Sequence, residues 1–171
     1  MKIRTKLACL LLHYDYMAKT NYLISGLPGT GKTSVCIELQ ARGYKVIDAD
    51  RSFGYQDGAD WLWDETKVEG VINNAFDGSM FICGSASNRD KYIPKFSKVF
   101  ILCVDDQTLR HRLLGRTNNN FGKDPDVLTR QIERNQGVKE YSINRGRVVV
   151  DATQPVKKVV DDILTQTADK S

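Results

Sequence analysis

A glycine-rich segment near the N-terminus combines residue types that bind phosphate groups. It reads Gly26-Leu27-Pro28-Gly29-Thr30-Gly31-Lys32-Thr33, which matches the pattern GxxxxGK[ST]. Its three glycines let the backbone curl so that successive amide hydrogens point inward at phosphate oxygens. An apolar run precedes the segment and a helical pattern follows it, which is the strand-loop-helix setting that this mechanism requires. The sequence therefore predicts a site for a nucleoside triphosphate.

The polar side chains of this segment have predicted tasks. Lys32 is expected to reach the β- and γ-phosphates, and the hydroxyl of Thr33 is expected to bind Mg²⁺. The helix that begins near Lys32 directs the positive end of its dipole at the same place. We therefore expect a nucleoside triphosphate and Mg²⁺ as cofactors. The predicted nucleotide contacts here are Gly26, Leu27, Pro28, Gly29, Thr30, Gly31, Lys32, Thr33 and Ser34.

The remaining chain alternates short apolar runs with helical patterns. Strands are predicted at 22–25, 44–48, 80–83, 99–104 and 148–150, with the fourth central in the sheet. Helices are predicted at 32–42, 64–76, 126–141 and 156–164, and after an N-cap at Asp106. In the first helix Val35, Ile37, Leu39 and Ala41 are available for packing. This order predicts an α/β fold, a three-layer sandwich with a five-stranded parallel sheet.

Length and composition fit one domain. The chain has 171 residues, of which 41% are hydrophobic and 27% charged, and no apolar run is long enough to span a membrane. A net charge of +4 gives little reason to expect nucleic-acid binding. Residues 48–69 include seven Asp or Glu, whereas residues 106–147 include nine Lys or Arg. Two regions of opposite sign indicate two ligand environments or two solvated faces.

The cysteines and the N-terminal residues indicate a reducing compartment. Cys9, Cys36, Cys83 and Cys103 lack the paired spacing of metal ligands, and three of them lie in apolar stretches typical of buried thiols. Basic residues precede an apolar run at 7–12, as in a signal peptide, but the run is short and no small-residue cleavage site follows. We interpret residues 1–16 as an extension, residues 17–171 as the single domain, and the cytoplasm as its location.

The glycine-rich segment, at the start of a five-strand α/β chain, resembles that of the P-loop small-molecule kinases. This group includes adenylate, shikimate and gluconate kinases, and the resemblance covers about residues 22–164. It implies a P-loop NTPase fold of the nucleoside monophosphate kinase type with a short lid. It also implies transfer of the γ-phosphoryl group of ATP to a small-molecule acceptor.

A second segment extends the resemblance. Leu109-Arg110-His111-Arg112-Leu113-Leu114-Gly115-Arg116 resembles the lid entrance of these kinases, which implies a lid at about 112–125. Arg112 would then lie against the adenine or the phosphates, and Arg116 would contact the transferring phosphoryl group. A guanidinium on a closing lid stabilises the charge that builds on that group. A solvated basic helix is the alternative. The loop after the last strand would pass beside the adenine at Thr153 and Pro155.

Two aspartates at the end of the second strand are candidates for the acceptor side. Open parallel sheets bind ligands at the carboxyl ends of their strands, where Asp48 and Asp50 are found. The third strand ends in Cys83-Gly84-Ser85 and provides no aspartate, so Asp48 or Asp50 is expected to serve the metal. In shikimate kinases, acidic residues at the similar position hold Mg²⁺ or contact the acceptor. One aspartate is also a candidate general base, and capping is the alternative role.

The acceptor contacts are the most open part of the site. The segment from Cys83 to Tyr92 resembles the Cys-Ser-Ala segment of gluconate kinases, and Arg89, then Arg51, are our candidates for acceptor binding. The acidic surroundings favour a neutral or polyhydroxylated acceptor over a phosphorylated one. The aromatic residues nearby are candidates for stacking on a base or lining a sugar pocket, and among them Trp61 is our choice for contacting the acceptor. Packing is the alternative for the whole group, which comprises Phe53, Tyr55, Trp61 and Trp63.

Several functions fit these observations. The leading hypothesis is a phosphotransferase acting on a nucleoside, a nucleotide, or a sugar-like or shikimate-like hydroxyl compound. A nucleotide-binding switch or NTPase acting on a protein partner is the alternative, although the guanine-reading motif Asn-Lys-x-Asp does not occur in the sequence. A role of Arg116 and the Asn-rich loop in binding nucleic acid would require steep salt dependence. Neither the identity of the acceptor nor the oligomeric state follows from the sequence.

Overall fold

A computed structural model of the chain describes residues 20–74, 78–117 and 120–167. The predicted extension at 1–16 lies outside the described residues, and so do positions 118 and 119 of the predicted lid. The second predicted helix was expected to reach 76, which also lies outside them. None of the helices within the described ranges is long and apolar enough to cross a membrane.

Five of the seven strands in the described ranges form one parallel sheet. In chain order the strands are β1 (Thr20–Ser25), β2 (Lys45–Asp48), β3 (Gly54–Asp57), β4 (Asp60–Trp63), β5 (Ser79–Cys83), β6 (Lys98–Cys103) and β7 (Val148–Asp151). The order in the large sheet is β2-β5-β1-β6-β7, and every pairing is parallel. The predicted five-stranded parallel sheet is confirmed. The central strand is β1, and β6, expected at the centre, lies between β1 and β7.

Helices cover both faces of this sheet. They are α1 (Lys32–Ala41), α2 (Ala49–Ser52), α3 (Glu65–Asn73), α4 (Asp106–Gly115), α5 (Pro125–Ile143), α6 (Val156–Thr167) and a 3-10 helix at Arg89–Lys95. Alternate residues of β1 belong to opposite layers: Ile24 packs with Leu39 of α1 and Ile163 of α6, whereas Leu23 packs with Val68 of α3. Burial on both faces explains why the sheet strands are near-continuous apolar runs.

Aspartate side chains cap the N-termini of most of the described helices. Asp64 caps α3 and accepts one hydrogen bond from a backbone amide of the first turn, and Asp124 caps α5 and accepts two. The cap of α4 is Asp105, whose Oδ1 lies 2.7 Å from the amide of Thr108. The prediction that Asp106 caps this helix is therefore wrong by one residue.

The antiparallel hairpin β3–β4 was not predicted. Its strands are short and largely exposed, so the alternation of apolar and polar residues that marks a strand is weak. The local signal was Gly58, which opens the two-residue loop Gly58-Ala59 with a positive φ of 56°, as tight hairpin turns require. The side chain of Asn88 fixes the hairpin to the loop after β5, because it donates to the carbonyl of Trp63 (2.9 Å) and accepts from its amide (3.0 Å). The amide of Ser87 also donates to the carbonyl of Trp61 at 2.8 Å.

Two residues of α1 test this description of the core. Leu39 is fully buried, whereas Ile37, which was expected to pack, is 60% exposed. Leu39→Ala is expected to lower the free energy of unfolding by about 2–5 kcal/mol, because it leaves a cavity. Ile37→Ala in the same helix is the matched control and is expected to change it by about 0.5 kcal/mol or less. Urea unfolding measures both values, and equal losses would contradict the orientation of α1.

Candidate active site

The glycine-rich loop joins β1 to α1 and passes close to β6. A Cβ at Gly26 would lie 2.7 Å from the carbonyl oxygen of Leu102 and 2.7 Å from Oγ1 of Thr30. Thr30 is buried, and its hydroxyl donates to the carbonyl of Leu27 at 2.8 Å, which holds the turn. The helix starts after Gly31, and no side chain caps it. The first amides of α1 are therefore not occupied by a cap, and phosphate oxygens can accept from them.

Lys32 folds back onto the loop that precedes it. Its Nζ donates to the carbonyl of Gly26 at 2.8 Å and to that of Leu27 at 3.3 Å. Burial lowers the pKa of Lys32, and the nearby charge of Asp50 opposes this effect only in part. The ammonium group is thus enclosed at the place where phosphate oxygens would balance its charge.

One cleft of about 1740 Å³ brings most of the predicted site residues together. Its lining includes the whole loop from Gly26 to Thr33, with Ser34 after it. The other predicted residues in the lining are Asp48, Asp50, Arg51, Trp61, Arg89, Arg112 and Arg116. Thr153 and Pro155 are not in the lining, although their neighbours Ala152 and Gln154 are. Thr153 instead makes two hydrogen bonds to Asp151.

The two candidate aspartates have different surroundings. Asp48 caps α2: its Oδ1 accepts from the amide of Arg51 (3.2 Å), and its Oδ2 lies 3.6 Å from Nε of the same residue. Asp50 has one oxygen, Oδ1, fixed by the indole N–H of Trp63 at 3.0 Å and by the amide of Ser85 at 2.8 Å. The structure gives Asp48 the capping role considered as an alternative, and both hydrogen bonds to Asp50 are made to Oδ1 rather than to Oδ2. We refer to the three-residue arrangement of Asp50, Trp63 and Ser85 as the Asp50 clamp.

The close approach of Asp50 to the loop after β5 requires a glycine. A Cβ at Gly84 would lie 2.7 Å from Oδ1 of Asp50 and 2.7 Å from a ring carbon of Trp63. The two tryptophans therefore differ in role. Trp63 is fully buried and donates to the carboxylate, whereas Trp61 is 38% exposed, covers Gly54 and lines the cleft.

Arg112 and Arg116 are placed by α4. The guanidinium of Arg112 donates to the carbonyls of Thr30 (3.2 Å) and Ala152 (2.9 Å), so it links the glycine-rich loop to the loop after β7. Arg116 follows the last turn of α4 and lines the same cleft, where burial lowers the pKa of its guanidinium.

Arg89 is engaged within the protein. One of its terminal nitrogens donates to the hydroxyls of Ser25 (2.8 Å) and Ser85 (3.3 Å), and the other donors contact Asp90. Asp90 also accepts from Arg147 at 3.1 Å. Burial alone would raise the pKa of Asp90, but the hydrogen bond and charge of Arg89, together with Arg147, lower it. The carboxylate of Asp90 thus neutralises part of the positive charge of Arg89 and Arg147.

Sequence reasoning missed the part of the cleft that α5 forms. The side chains of Arg130, Gln131, Arg134 and Tyr141 line it, and so does Arg147 before β7. The spacing of 130, 134 and 141 follows one helical face, so a signal was available. The sequence analysis treated the basic residues of 106–147 as one charged region and did not examine their spacing along this helix.

Oxygen groups of the kind that Mg²⁺ prefers line the cleft. They are the hydroxyl of Thr33 and the carboxylates of Asp48 and Asp50. Within the described ranges no three His, Cys, Asp or Glu residues are grouped as a metal site. Cys83 is buried, and burial raises the pKa of its thiol, which disfavours a thiolate ligand.

Comparisons with known proteins show the class of fold. No family model and no curated protein matches the sequence. Among solved structures, deoxyadenosine kinase from M. mycoides with bound dATP is similar with a TM-score of 0.57 at 13% identity, over 86% of this chain and 99% of that one. A sugar kinase from Janibacter sp. HTCC2649 gives 0.53 at 15% identity, over 86% and 93%. A gluconokinase from Sinorhizobium meliloti 1021 gives 0.50 at 18% identity, over 87% and 91%.

The fold is therefore that of the α/β proteins that carry a P-loop between a central strand and a helix. Within this class the chain has the P-loop kinase-like fold, as the resemblance of its glycine-rich segment implied.

Lys32→Met is expected to abolish ATP binding without lowering the stability of the ligand-free protein. Because burial lowers the pKa of Lys32, protonation of this residue opposes folding below its unfolded pKa, and removing the charge relieves that cost. Urea unfolding with and without a non-hydrolysable ATP analogue measures both effects. The analogue should stabilise the natural protein but not the variant. A variant that still gains stability from the analogue would contradict the assigned role.

The Asp50 clamp predicts a coupling between Trp63 and Asp50. Trp63→Phe removes the indole donor and is expected to lower kcat with little change in the KM for ATP. Asp50→Asn is expected to lower kcat further. In the double variant the two losses should not add, because Trp63 acts through Asp50. Additive losses in this cycle would show that Trp63 matters only for packing.

Proposed function

We propose that the protein is an ATP-dependent phosphotransferase that transfers the γ-phosphoryl group to a hydroxyl of a small-molecule acceptor. The observation that carries the proposal is the placing of Lys32 and Asp50 on one cleft, close enough for the charge of Asp50 to offset part of the lowering that burial imposes on the pKa of Lys32. A phosphate-binding loop and a fixed carboxylate on the same cleft are the two halves of a phosphoryl-transfer site. The kinases among similar solved structures support the proposal.

The donor half consists of groups that bind charge. The amides at the start of α1 and the ammonium of Lys32 would hold the triphosphate, and Arg112 would lie beside the nucleotide because it already joins the two loops there. Thr33, Asp50 and Asp48 are the residues that would hold Mg²⁺, directly or through its water shell. When bound, Mg²⁺ neutralises charge on the phosphate oxygens.

The chemical step needs one group that accepts the hydroxyl proton and one cation that stabilises the charge on the transferring phosphoryl group. The acceptor hydroxyl oxygen forms a bond to the γ-phosphorus, the bond from that phosphorus to the bridging β–γ oxygen breaks, and ADP leaves. The hydroxyl proton passes to Oδ2 of Asp50, the oxygen to which Trp63 and Ser85 do not donate. Asp50 suits this role better than Asp48, whose two oxygens both contact Arg51. Arg116 would stabilise the charge on the transferring group.

The acceptor side is bounded by the hairpin and the loop after β5. Trp61 offers an exposed ring on the cleft, and Arg51 lies there beside Asp48. Arg89, our first candidate from the sequence, is held by Ser25, Ser85 and Asp90 and so orients this wall more than it offers free donors. Nucleosides, nucleotides and sugar-like compounds all fit the proposal.

A direct test measures ADP formation from ATP and Mg²⁺ with and without each member of a panel of hydroxyl compounds. The proposal expects ADP formation that depends on one acceptor class and yields its phosphate ester, and no activity in Lys32→Met. ATP turnover that no small acceptor changes, but that a protein partner raises, would contradict the phosphotransferase and favour the NTPase.

Arg116→Ala tests whether this arginine stabilises the charge on the transferring phosphoryl group. Because the contact is expected to strengthen in the transition state, kcat should fall roughly 100-fold while the KM for ATP changes little. Arg110 is exposed on the same helix and does not line the cleft, so Arg110→Ala is the matched control and should leave both values unchanged. Equal kcat values for the two variants would show that Arg116 has no part in the transfer.

A further inference from the structure

Arg89 contacts two segments of the chain that belong to opposite halves of the proposed site. Its Nη1 donates to Oγ of Ser25 at 2.8 Å and to Oγ of Ser85 at 3.3 Å. Ser25 ends β1 and directly precedes the glycine-rich loop, whereas the amide of Ser85 donates to Oδ1 of Asp50. One guanidinium group therefore joins the start of the glycine-rich loop to the Asp50 clamp.

This contact lies just beyond the backbone pairing of two neighbouring strands. The last residue pair in the parallel register of β1 and β5 is Ile24 with Cys83. Ser25 follows one residue later on the first chain segment and Ser85 two residues later on the second. Because Arg89 donates to both hydroxyls, its side chain continues the connection between the strands toward the loops that follow them.

Asp90 fixes the orientation of Arg89. Its Oδ1 accepts from Nε and Nη2 of Arg89 at 3.1 and 2.9 Å, and its Oδ2 accepts from Nη2 of Arg147 at 3.1 Å. Arg147 lies between α5 and β7, and its side chain is 6% exposed. Each oxygen of the carboxylate is thus paired with an arginine. We refer to Arg89, Asp90 and Arg147 as the Arg89 bridge.

The contacts of Arg89 leave it few donors for a ligand. Its four hydrogen bonds to Ser25, Ser85 and Asp90 use most of the N–H groups that a guanidinium group has. Its charge is also paired with Asp90. Bidentate binding of a ligand carboxylate or phosphate would need two parallel N–H groups that are free. Arg89 is therefore arranged to hold parts of the protein together.

We propose that Arg89 is a positioning residue, which sets the distance and angle between the glycine-rich loop and Asp50 by holding Ser25 and Ser85 together. The inference rests on the proposed phosphotransfer, and it gives a task in that reaction to a group that does not touch the reacting atoms. In-line transfer needs the γ-phosphorus, the acceptor hydroxyl and its proton acceptor in a fixed relation. A displacement of about 1 Å costs on the order of 100-fold in rate.

Arg89→Gln tests the position of the clamp without any substrate. The indole N–H of Trp63 donates to Asp50, so its NMR signal in the ligand-free protein reports the state of the Asp50 clamp. Trp61→Phe identifies this signal, because the chain has two tryptophans. In Arg89→Gln the signal should shift, and its exchange with solvent deuterium should become about tenfold faster, because Ser85 is no longer held.

Arg145→Gln is the matched control for this measurement. Arg145 is exposed, stacks over the ring of Tyr141 at 4.5 Å and does not line the cleft, so its loss should leave the Trp63 signal unchanged. An unchanged signal in folded Arg89→Gln, or an equal change in the control, overturns the proposal.

Steady-state kinetics separate positioning from binding. Arg89→Gln should lower kcat about tenfold and change the KM values for ATP and for the acceptor found in the panel by about twofold at most. Ser85→Ala removes one hydroxyl of the link but keeps the amide that donates to Asp50, so its loss should be smaller. The double variant should lose no more than Arg89→Gln alone, because Arg89 acts through Ser85. A raised KM for the acceptor at unchanged kcat, or additive losses in the cycle, overturns the proposal.

Asp90→Asn covers the case in which loss of Arg89 unfolds the protein. The side chain of Asp90 is 44% exposed, so this variant is expected to fold. It weakens the hold on Arg89 and should change kcat and the Trp63 signal in the same direction, with kcat about threefold lower. No change in either quantity overturns the proposal. Because the signal needs no substrate, failure of the proposed function would appear separately, as a clamp that responds to the variants in a protein that forms no ADP.

Discussion

A single carboxylate oxygen, Oδ1 of Asp50, joins three parts of the chain that are distant in sequence. It receives one hydrogen bond from Trp63 of the hairpin and another from Ser85 after β5, while Asp50 itself follows β2. Asn88 and the amide of Ser87 hold the hairpin in this position through its backbone groups. The carboxylate fits because residue 84 is a glycine. The geometry of this wall of the cleft, our proposed acceptor side, therefore depends on the polar contact at Asp50.

The glycine-rich loop, our proposed donor side, depends on the backbone in a different way. The loop after β1 is shaped by contacts over a few residues, such as the hydroxyl of Thr30 on the carbonyl of Leu27. The groups that we expect to bind phosphate are amides, which every sequence has, arranged by glycines, which few segments have in this spacing. Charge enters only with Lys32 and the arginines of α4.

This difference explains what the sequence predicted. Short-range sequence patterns predict the P-loop and the parallel sheet, and the resemblance of the P-loop predicted the kinase-like class of the fold. The Asp50 clamp joins Asp50 to Trp63 and Ser85, which lie 13 and 35 positions further along the chain. No periodic pattern in the sequence predicts such pairs. Trp63 illustrates the limit: stacking and packing were both considered, yet its donor role follows only from where Asp50 lies. The acidic and basic regions were recognised but taken as separate environments, whereas Asp50 and Arg130 line one cleft.

The buried thiol of Cys83 has a practical consequence. It lies at the end of β5 in the lining of the cleft and is 1% exposed, and burial raises its pKa. A thiol-specific reagent can modify it only when this part of the sheet opens, so the rate of modification reports the frequency of that opening. Ligands that bridge the two sides of the cleft should slow the reaction in proportion to their occupancy. The protein thus carries its own probe of local opening, at the point where donor and acceptor are expected to meet.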